Sequence, residues 1–362
     1  MLRVLAFWLS ERGAFRFCWQ THKPANTPVA SSLNKWKNWL CVCRIEAVDM
    51  HKWRHQMQSI KILSGCLFFS FLFTTTSFGE APEIRTKVIH RLKGDGNLNA
   101  NGNAHTASQR VFGSGIDYHG GAVLTSGVNA YYIWYGNWST NTATSILTDL
   151  ISNIGGSPYF NINTTYYGVV NSSKIPVRNS VTYLGGAIDS YSQGRALSDS
   201  GVQAIVANAI SKGVVPKDTN GIYFVLTSAD VTETSGFCTK YCGWHTHGTI
   251  GNADIKYAFI GNPDQCPSAC EDQSVGPNGN PGADGMASII AHELEEAVTD
   301  PDLNAWYDRR GQENADKCAW TFGNTFPTAN GALANVQLGS RYFLIQQNWV
   351  NAGSGGCALH YP

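Results

Sequence analysis

From about residue 113 onward, the apolar and polar positions of this chain switch between two periods. His119–Tyr135 (HGGAVLTSGVNAYYIWY) is rich in β-branched and aromatic residues with partial alternation, which predicts one or two strands. Ser139–Ile154 opens with capping residues. It then sets Ile146, Leu147, Leu150, Ile151 and Ile154 at helical spacing before Gly155-Gly156 stops it. Tyr166–Val170 and Val181–Leu184 read as strands, and Asp199–Lys212 as a second amphipathic helix ended by Gly213. Ile222–Thr227 (IYFVLT) is a short unbroken apolar run, the pattern of a central strand buried on both faces. Lys256–Gly261 predicts another strand, residues 276–285 (GPNGNPGADG) a loop, and Met286–Asp300 a third helix closed by Pro301. Tyr342–Ile345 is a late strand. Helices and strands alternate without an internal repeat, which predicts one α/β domain over residues 113–362: a mixed β-sheet packed with a few helices.

The N-terminal third has a different character. Residues 57–79 carry Lys61, an apolar run from Ile62 to Phe73, and small residues Ser77 and Gly79 before Glu80. That is the layout of a secretory signal peptide, with an apolar run short for a bilayer span. Residues 1–56 hold five of the eleven tryptophans without clear periodicity and read as a mis-assigned or disordered extension. Residues 80–112 are polar, with Gly and Asn clusters, and read as a linker or N-terminal arm.

Composition sharpens this picture. Formal net charge is zero and 14% of residues are charged, which argues against a nucleic-acid partner. Export would leave six of the ten cysteines: Cys238, Cys242, Cys266, Cys270, Cys318 and Cys357. In a secreted chain these predict disulfides stapling long loops; fifteen connectivities are open. The mature protein is expected outside the cell, without stable membrane insertion, with an extracellular peptide or a cell-wall component as partner.

The candidate chemistry lies on the third helix, which reads AHELEEAVTDPDLNAWYD from Ala291. His292 and Glu296 are four apart and share one helix face, while Ile290, Leu294 and Ala297 point toward a core. Glu293 sits beside His292. This resembles the zinc-peptidase pattern His-Glu-x-x-His with glutamate in the second ligand position, and it predicts a zincin-like domain. Two ligands one turn apart can bind one cation, and the adjacent carboxylate can take a proton from metal-bound water. His292 and Glu296 are therefore the candidate metal ligands and Glu293 the candidate general base. Asp300, Asp302, Glu313 and Asp316 are candidates to complete the set, with Glu313 and Asp316 favoured because a disulfide at Cys318 would hold them rigid. Zinc is the expected ion; the extra carboxylate leaves manganese or calcium open, although no EF-hand spacing is present. The competing explanation is an acidic helix with a solvated face. His245-Thr246-His247 is a second histidine pair, but the adjoining Cys242 and Gly243 suggest a loop.

Several segments, in order, carry a resemblance: HGGAVLTSGVNAYYIWYGNW, NGIYFVLTSADV, GFCTKYCGWH, and YAFIGN followed by QCPSAC. The chain resembles the phosphate-induced protein / Exordium-like family over about residues 113–360, as a divergent member carrying the His-Glu-x-x-Glu helix. The resemblance implies an extracellular location; the growth-related role of the plant members at the cell wall does not carry over directly, because this chain departs from their pattern at the AHELEEAVTDP helix. Two functions follow as expectations. One is a secreted metal-dependent hydrolase, most simply a zinc peptidase. The alternative is a non-catalytic extracellular or cell-wall binding or growth-signalling protein of the Exordium type, with Trp138, Trp244 and Trp306 as candidate carbohydrate contacts.

Overall fold

Three apolar runs set the centre of the fold. The computed structural model describes residues 88–93 and 115–362. Its six-stranded sheet consists of β1 (Val88–Arg91), β2 (Val128–Tyr135), β3 (Val181–Asp189), β4 (Gly221–Thr227), β5 (Tyr241–Ile250) and β6 (Ala253–Ile260). The spatial order is β1-β5-β6-β4-β2-β3. β6, β4, β2 and β3 run parallel, while β5 is antiparallel to both β6 and β1. β4 is buried at all seven positions, as its unbroken apolar run predicts for a strand covered on both faces.

Three helices cover the sheet: α1 (Ala143–Ile154), α2 (Asp199–Ser211) and α3 (Pro281–Thr299). The alternation of β5 fixes their sides. A Cβ built on Gly243 would meet Ile289 of α3, whereas one built on Gly248 would meet Gln203 of α2. Positions 243 and 248 have opposite parity, so α3 and α2 lie on opposite faces of the sheet. α1 packs beside α3. The sequence's α/β assignment therefore holds, with a mixed sheet and few helices.

Two sequence expectations are corrected here. α3 begins at Pro281, not after residue 285, because the Asn280 side chain caps it by accepting from the Ala283 N–H, and proline suits the first helical position. Gly282, which reads as a loop residue, instead permits close approach: a Cβ there would lie 2.4 Å from the Asp264 carboxyl group. The His245-Thr246-His247 stretch is not a loop but the middle of β5.

α3 is buried along its whole length from Gly282 to Thr299, acidic residues included. A solvated acidic face is thus excluded. The sheet covers one side, and the other is covered by α1 and by the C-terminal segment, which folds back as short hairpins. Trp138, Trp244 and Trp306 are buried as well, which removes them as surface carbohydrate contacts. The N-terminal arm contributes β1, an edge strand. The signal-peptide reading of residues 57–79 and the extension 1–56 lie outside the described residues. Among the described residues no helix is long and apolar enough to cross a membrane.

The six C-terminal cysteines pair as Cys238–Cys266, Cys242–Cys270 and Cys318–Cys357. The first two tie the start of β5 and the turn before it to the loop after β6. The third closes 39 residues of the irregular C-terminal segment. The loop-entropy contribution of a closure of that length is about 4 kcal/mol. The Cys318→Ser/Cys357→Ser variant is expected to lose roughly that much in urea unfolding, and a loss under about 1 kcal/mol would show that packing alone holds this segment.

Candidate metal centre

The site assembles because α3 lies directly against β5. Gly243 makes the contact possible, since a Cβ there would sit 2.5 Å from Ile289 Cγ2 and 3.1 Å from Glu293 Oε1. Two residues along the same strand face, His245 points at the same helix. From α3 come His292 and Glu296, stacked one turn apart, with Nε2 and Oε1 separated by 3.1 Å.

The C-terminal segment supplies the rest. After α3 the chain turns at Asp300, whose carboxylate accepts from the backbone N–H groups of Asn304 and, at 2.6 Å, of Ala305. It returns over the helix and presents Glu313, Asn314 and Asp316. The Asp316 N–H donates to Glu296 Oε1 at 2.9 Å, and the Asn314 side chain donates to the carbonyl of Glu295. Asp316 opens the short 3-10 turn that carries Cys318, so a disulfide anchors its position.

Five side chains of metal-ligating type therefore converge in two triads that share Glu296. His292, Glu296 and Asp316 form one; His245, Glu296 and Glu313 form the other. Within each triad the ligand atoms lie within 4.8 Å of one another. His292 Nε2 is 3.8 Å from Asp316 Oδ1; His245 Nε2 is 3.6 Å from Glu296 Oε2 and 3.4 Å from Glu313 Oε2. Ligands bonded to one cation at about 2.0–2.2 Å sit about 3–4 Å apart, so these separations are of the size a bound ion requires. Both ring nitrogens of His292 are buried without a hydrogen bond of normal geometry. Two imidazoles with three carboxylates suit zinc or manganese.

Electrostatically, the pocket suits an added positive charge. Burial, then the charge of Glu296, raises the Asp316 pKa to about 7. Burial lowers that of His292 to about 4. Glu293 is pushed well up by burial and by Glu296 and Asp316, and Glu295 is pushed up by burial first. Without a cation, these groups favour their uncharged forms.

All the sequence-nominated ligands (His292, Glu296, Glu313 and Asp316) meet here, and Glu293 faces Gly243 at the edge of the cluster. The other candidates go elsewhere. Asp300 caps the turn, and Asp302 joins a separate half-exposed group with His247, Asp254 and Lys256, where the lysine ammonium already supplies the positive charge. Two further residues join the cluster. His245 was visible in sequence as half of a histidine pair but read as a loop residue, and its alternation with Gly243 was the usable signal. His90 of β1 had none: it lies in a polar arm, yet it is fully buried with its ring 4.3 Å from that of His292. The Asn163 side chain is buried and donates to Glu295 Oε1.

Comparisons with known proteins now place the chain. Residues 116–346 match the family described as Phosphate-induced protein 1 conserved region. Protein EXORDIUM-like 5 of Arabidopsis thaliana is 32% identical over 290 residues, covering 67% of this chain and 78% of its own length. Protein EXORDIUM of the same plant is 32% identical over 230 residues, covering 55% and 70%. Protein PHOSPHATE-INDUCED 1 of Nicotiana tabacum is 30% identical over 224 residues, covering 53% and 67%. No solved structure matches the chain. The matched region runs from just before β2 to Gln346, past α3, Glu313 and Asp316, and on that match the chain belongs to the phosphate-induced protein 1 family and is similar in sequence to Exordium-like proteins.

Proposed function

We propose that this chain is a secreted, non-catalytic extracellular protein of the Exordium type, in which the cluster on α3 holds a divalent cation, zinc by preference, as a structural element. The observation that carries this reading is burial. The side chains of His245, His292, Glu296 and Glu313 have no solvent exposure, and that of Asp316 has 11%. A hydrolytic metal must keep a coordination position open to substrate, whereas a structural one is closed by protein ligands. Surface pockets lined by Ile188, Asp189 and Lys212, and by Ser139, Asn141 and Asn280, lie elsewhere. The matched relatives' names specify no reaction. Three disulfides suit an oxidising, extracellular setting.

A second reading, the metal-dependent hydrolase, is favoured by one specific feature. Glu293 stands next to His292 in sequence and faces the strand β5, where a peptidase-type base would stand. In that reading His292, Glu296 and a carboxylate from the C-terminal segment would hold the ion, which would lower the pKa of a water. Glu293 would serve as the proton acceptor, and β1 would have to leave for substrate to enter.

Elemental analysis separates these outcomes from a metal-free protein. The purified chain is expected to carry about one equivalent of divalent metal, lost in His292→Ala. Chelation is expected to lower Tm by roughly 10 °C, from a binding contribution of about 4 kcal/mol at saturating metal. A chain whose metal content and melting are the same with and without chelator has no such centre. Peptide turnover that disappears in Glu293→Gln while metal stays bound would transfer the conclusion to the hydrolase reading.

The pKa directions give a pH test on the metal-free protein. Above about pH 7 imidazoles are mostly neutral in both folded and unfolded chains, so His90 and His292, whose folded values are lowered by burial, contribute little. Asp316, Glu293 and Glu295 still hold protons in the folded state that the unfolded chain has released. A raised carboxyl pKa contributes stability below its unfolded value that is lost as pH rises through its folded value. Stability of the metal-free chain is therefore expected to fall from about pH 7 to 8.5, and added zinc to flatten that slope, in denaturant titrations at stepped pH. A metal-free chain that gains stability over this window would contradict the assigned protonation.

A further inference from the structure

β1 is held as a bound peptide would be. It adds antiparallel to β5, pairing Val88 with His245, Ile89 with Trp244, His90 with Gly243 and Arg91 with Tyr241. Without β1, β5 would be the edge of the sheet. Among the described residues, the remaining attachments are main-chain contacts, the buried His90 imidazole, and the Lys93 ammonium, which donates to the carbonyls of Glu271 at 3.4 Å and Asp272 at 3.2 Å. The Trp320 indole N–H donates to the Arg91 carbonyl at 2.9 Å, and the Lys93 N–H donates to the Ala269 carbonyl at 2.9 Å. The His90 imidazole is fully buried, edge-on to His292 and stacked on Trp320 at 5.2 Å, and the Gln346 amide donates to its Nε2. A backbone ladder for affinity with side-chain pockets for specificity is how an extended peptide is recognised at a sheet edge. The pocket floor is Gly243, whose missing side chain leaves Glu293 facing the strand that lies above.

We propose that the β5 edge over α3 is a binding groove for an extended peptide, that Val88–Arg91 is its intramolecular occupant, and that its ligand is a peptide strand with an imidazole at the position of His90. This goes beyond the structural-metal reading and stands without it, since the groove is made by β5, Trp320, Gln346 and Ala269. It also supplies an occupant class for the site: a polypeptide in extended conformation, running antiparallel to β5. In the intact chain the groove is self-filled, so an outside peptide competes with a tethered copy and its apparent affinity is the intrinsic affinity multiplied by the fraction of time β1 is displaced.

The test uses the full chain carrying His90→Asp, which puts a carboxyl group in the buried imidazole pocket beside Glu293, and separately His90→Gly, which deletes the anchor without adding charge. The probe is a fluorescein-labelled synthetic peptide with the sequence of residues 86–93 (TKVIHRLK). Amide exchange over Tyr241–His245 is expected to speed by at least about tenfold in both variants as β1 leaves the edge. The variants are expected to bind the probe at least about tenfold more tightly than the parent chain does, and a scrambled probe not at all. Faster exchange without probe binding would overturn the groove. So would unchanged exchange, equal binding of the scrambled probe, or loss of cooperative unfolding in both variants, the last because it would make β1 an integral core strand. Metal content read in the same samples keeps the two conclusions apart, because the groove can fail while the metal remains, and the reverse.

Discussion

The structure depends on one costly arrangement: a helix carrying His292, Glu293, Glu295 and Glu296 is sealed inside the protein. Removing an ionised carboxylate from water costs several kcal/mol unless a partner compensates, so three carboxylates and an imidazole in one buried turn and a half are not a neutral packing choice. Everything around α3 answers that demand. Gly243 lets the helix approach β5, His245 arrives on the same face, and the C-terminal segment contributes a backbone N–H to Glu296 through Asp316. Asn163 and Asn314 form a short amide chain beside Glu295: Asn314 donates to Asn163, and Asn163 donates to the carboxylate. These contacts satisfy individual oxygens without supplying positive charge. Arg91, an exposed residue of β1, is the smallest of the influences on Asp316. A divalent cation would neutralise two carboxylates at once and convert a penalty into coordination.

The same demand explains the irregular C-terminal segment. Short hairpins and a 3-10 turn have little intrinsic stability, yet they must hold Glu313 and Asp316 to within about 1 Å for either a structural or a chemical role. The Cys318–Cys357 disulfide and the hydrogen bond from the Trp349 N–H to the Asn314 carbonyl fix them from outside. The Asp300 turn fixes them from the helix end. Rigidity in this region is thus distributed over covalent, capping and backbone contacts and not over a hydrophobic core of its own.

Much of this was legible from local pattern. The unbroken run in β4, the periodicity of α1 and α2, and the four-residue spacing of His292 and Glu296 each depend on geometry that a dozen residues express by themselves. The convergence of Glu313 and Asp316 with them followed from chain proximity to Cys318. What stayed hidden depended on partners distant in sequence. The first turn of α3 looked like a loop because Pro281 and Gly282 are loop formers, and only the close approach to Asp264 gives that glycine its purpose. His245 was disguised by the flanking Cys242 and Gly243, whose roles, a disulfide and a helix contact, exist only in the folded sheet. His90 lies in a polar arm some two hundred residues from His292, and no periodicity can report a pairing of that kind.

β1 brings these strands of argument to one point. The burial that favours a structural cation is partly the work of β1, because His90 covers His292 and the strand covers the Gly243 face. A site closed by its own framework is closed for good; a site closed by an edge strand is closed only as long as that strand stays paired. Edge strands are the least constrained members of a sheet, and one that pairs on one side only exchanges its place more readily than any strand inside it. The distinction between a sealed structural centre and an accessible one therefore does not reside in the ligand set, which serves both. It resides in the free energy that keeps Val88–Arg91 on β5, and the residues that set it, His90, Trp320 and Gln346, are separate from those that would hold the ion.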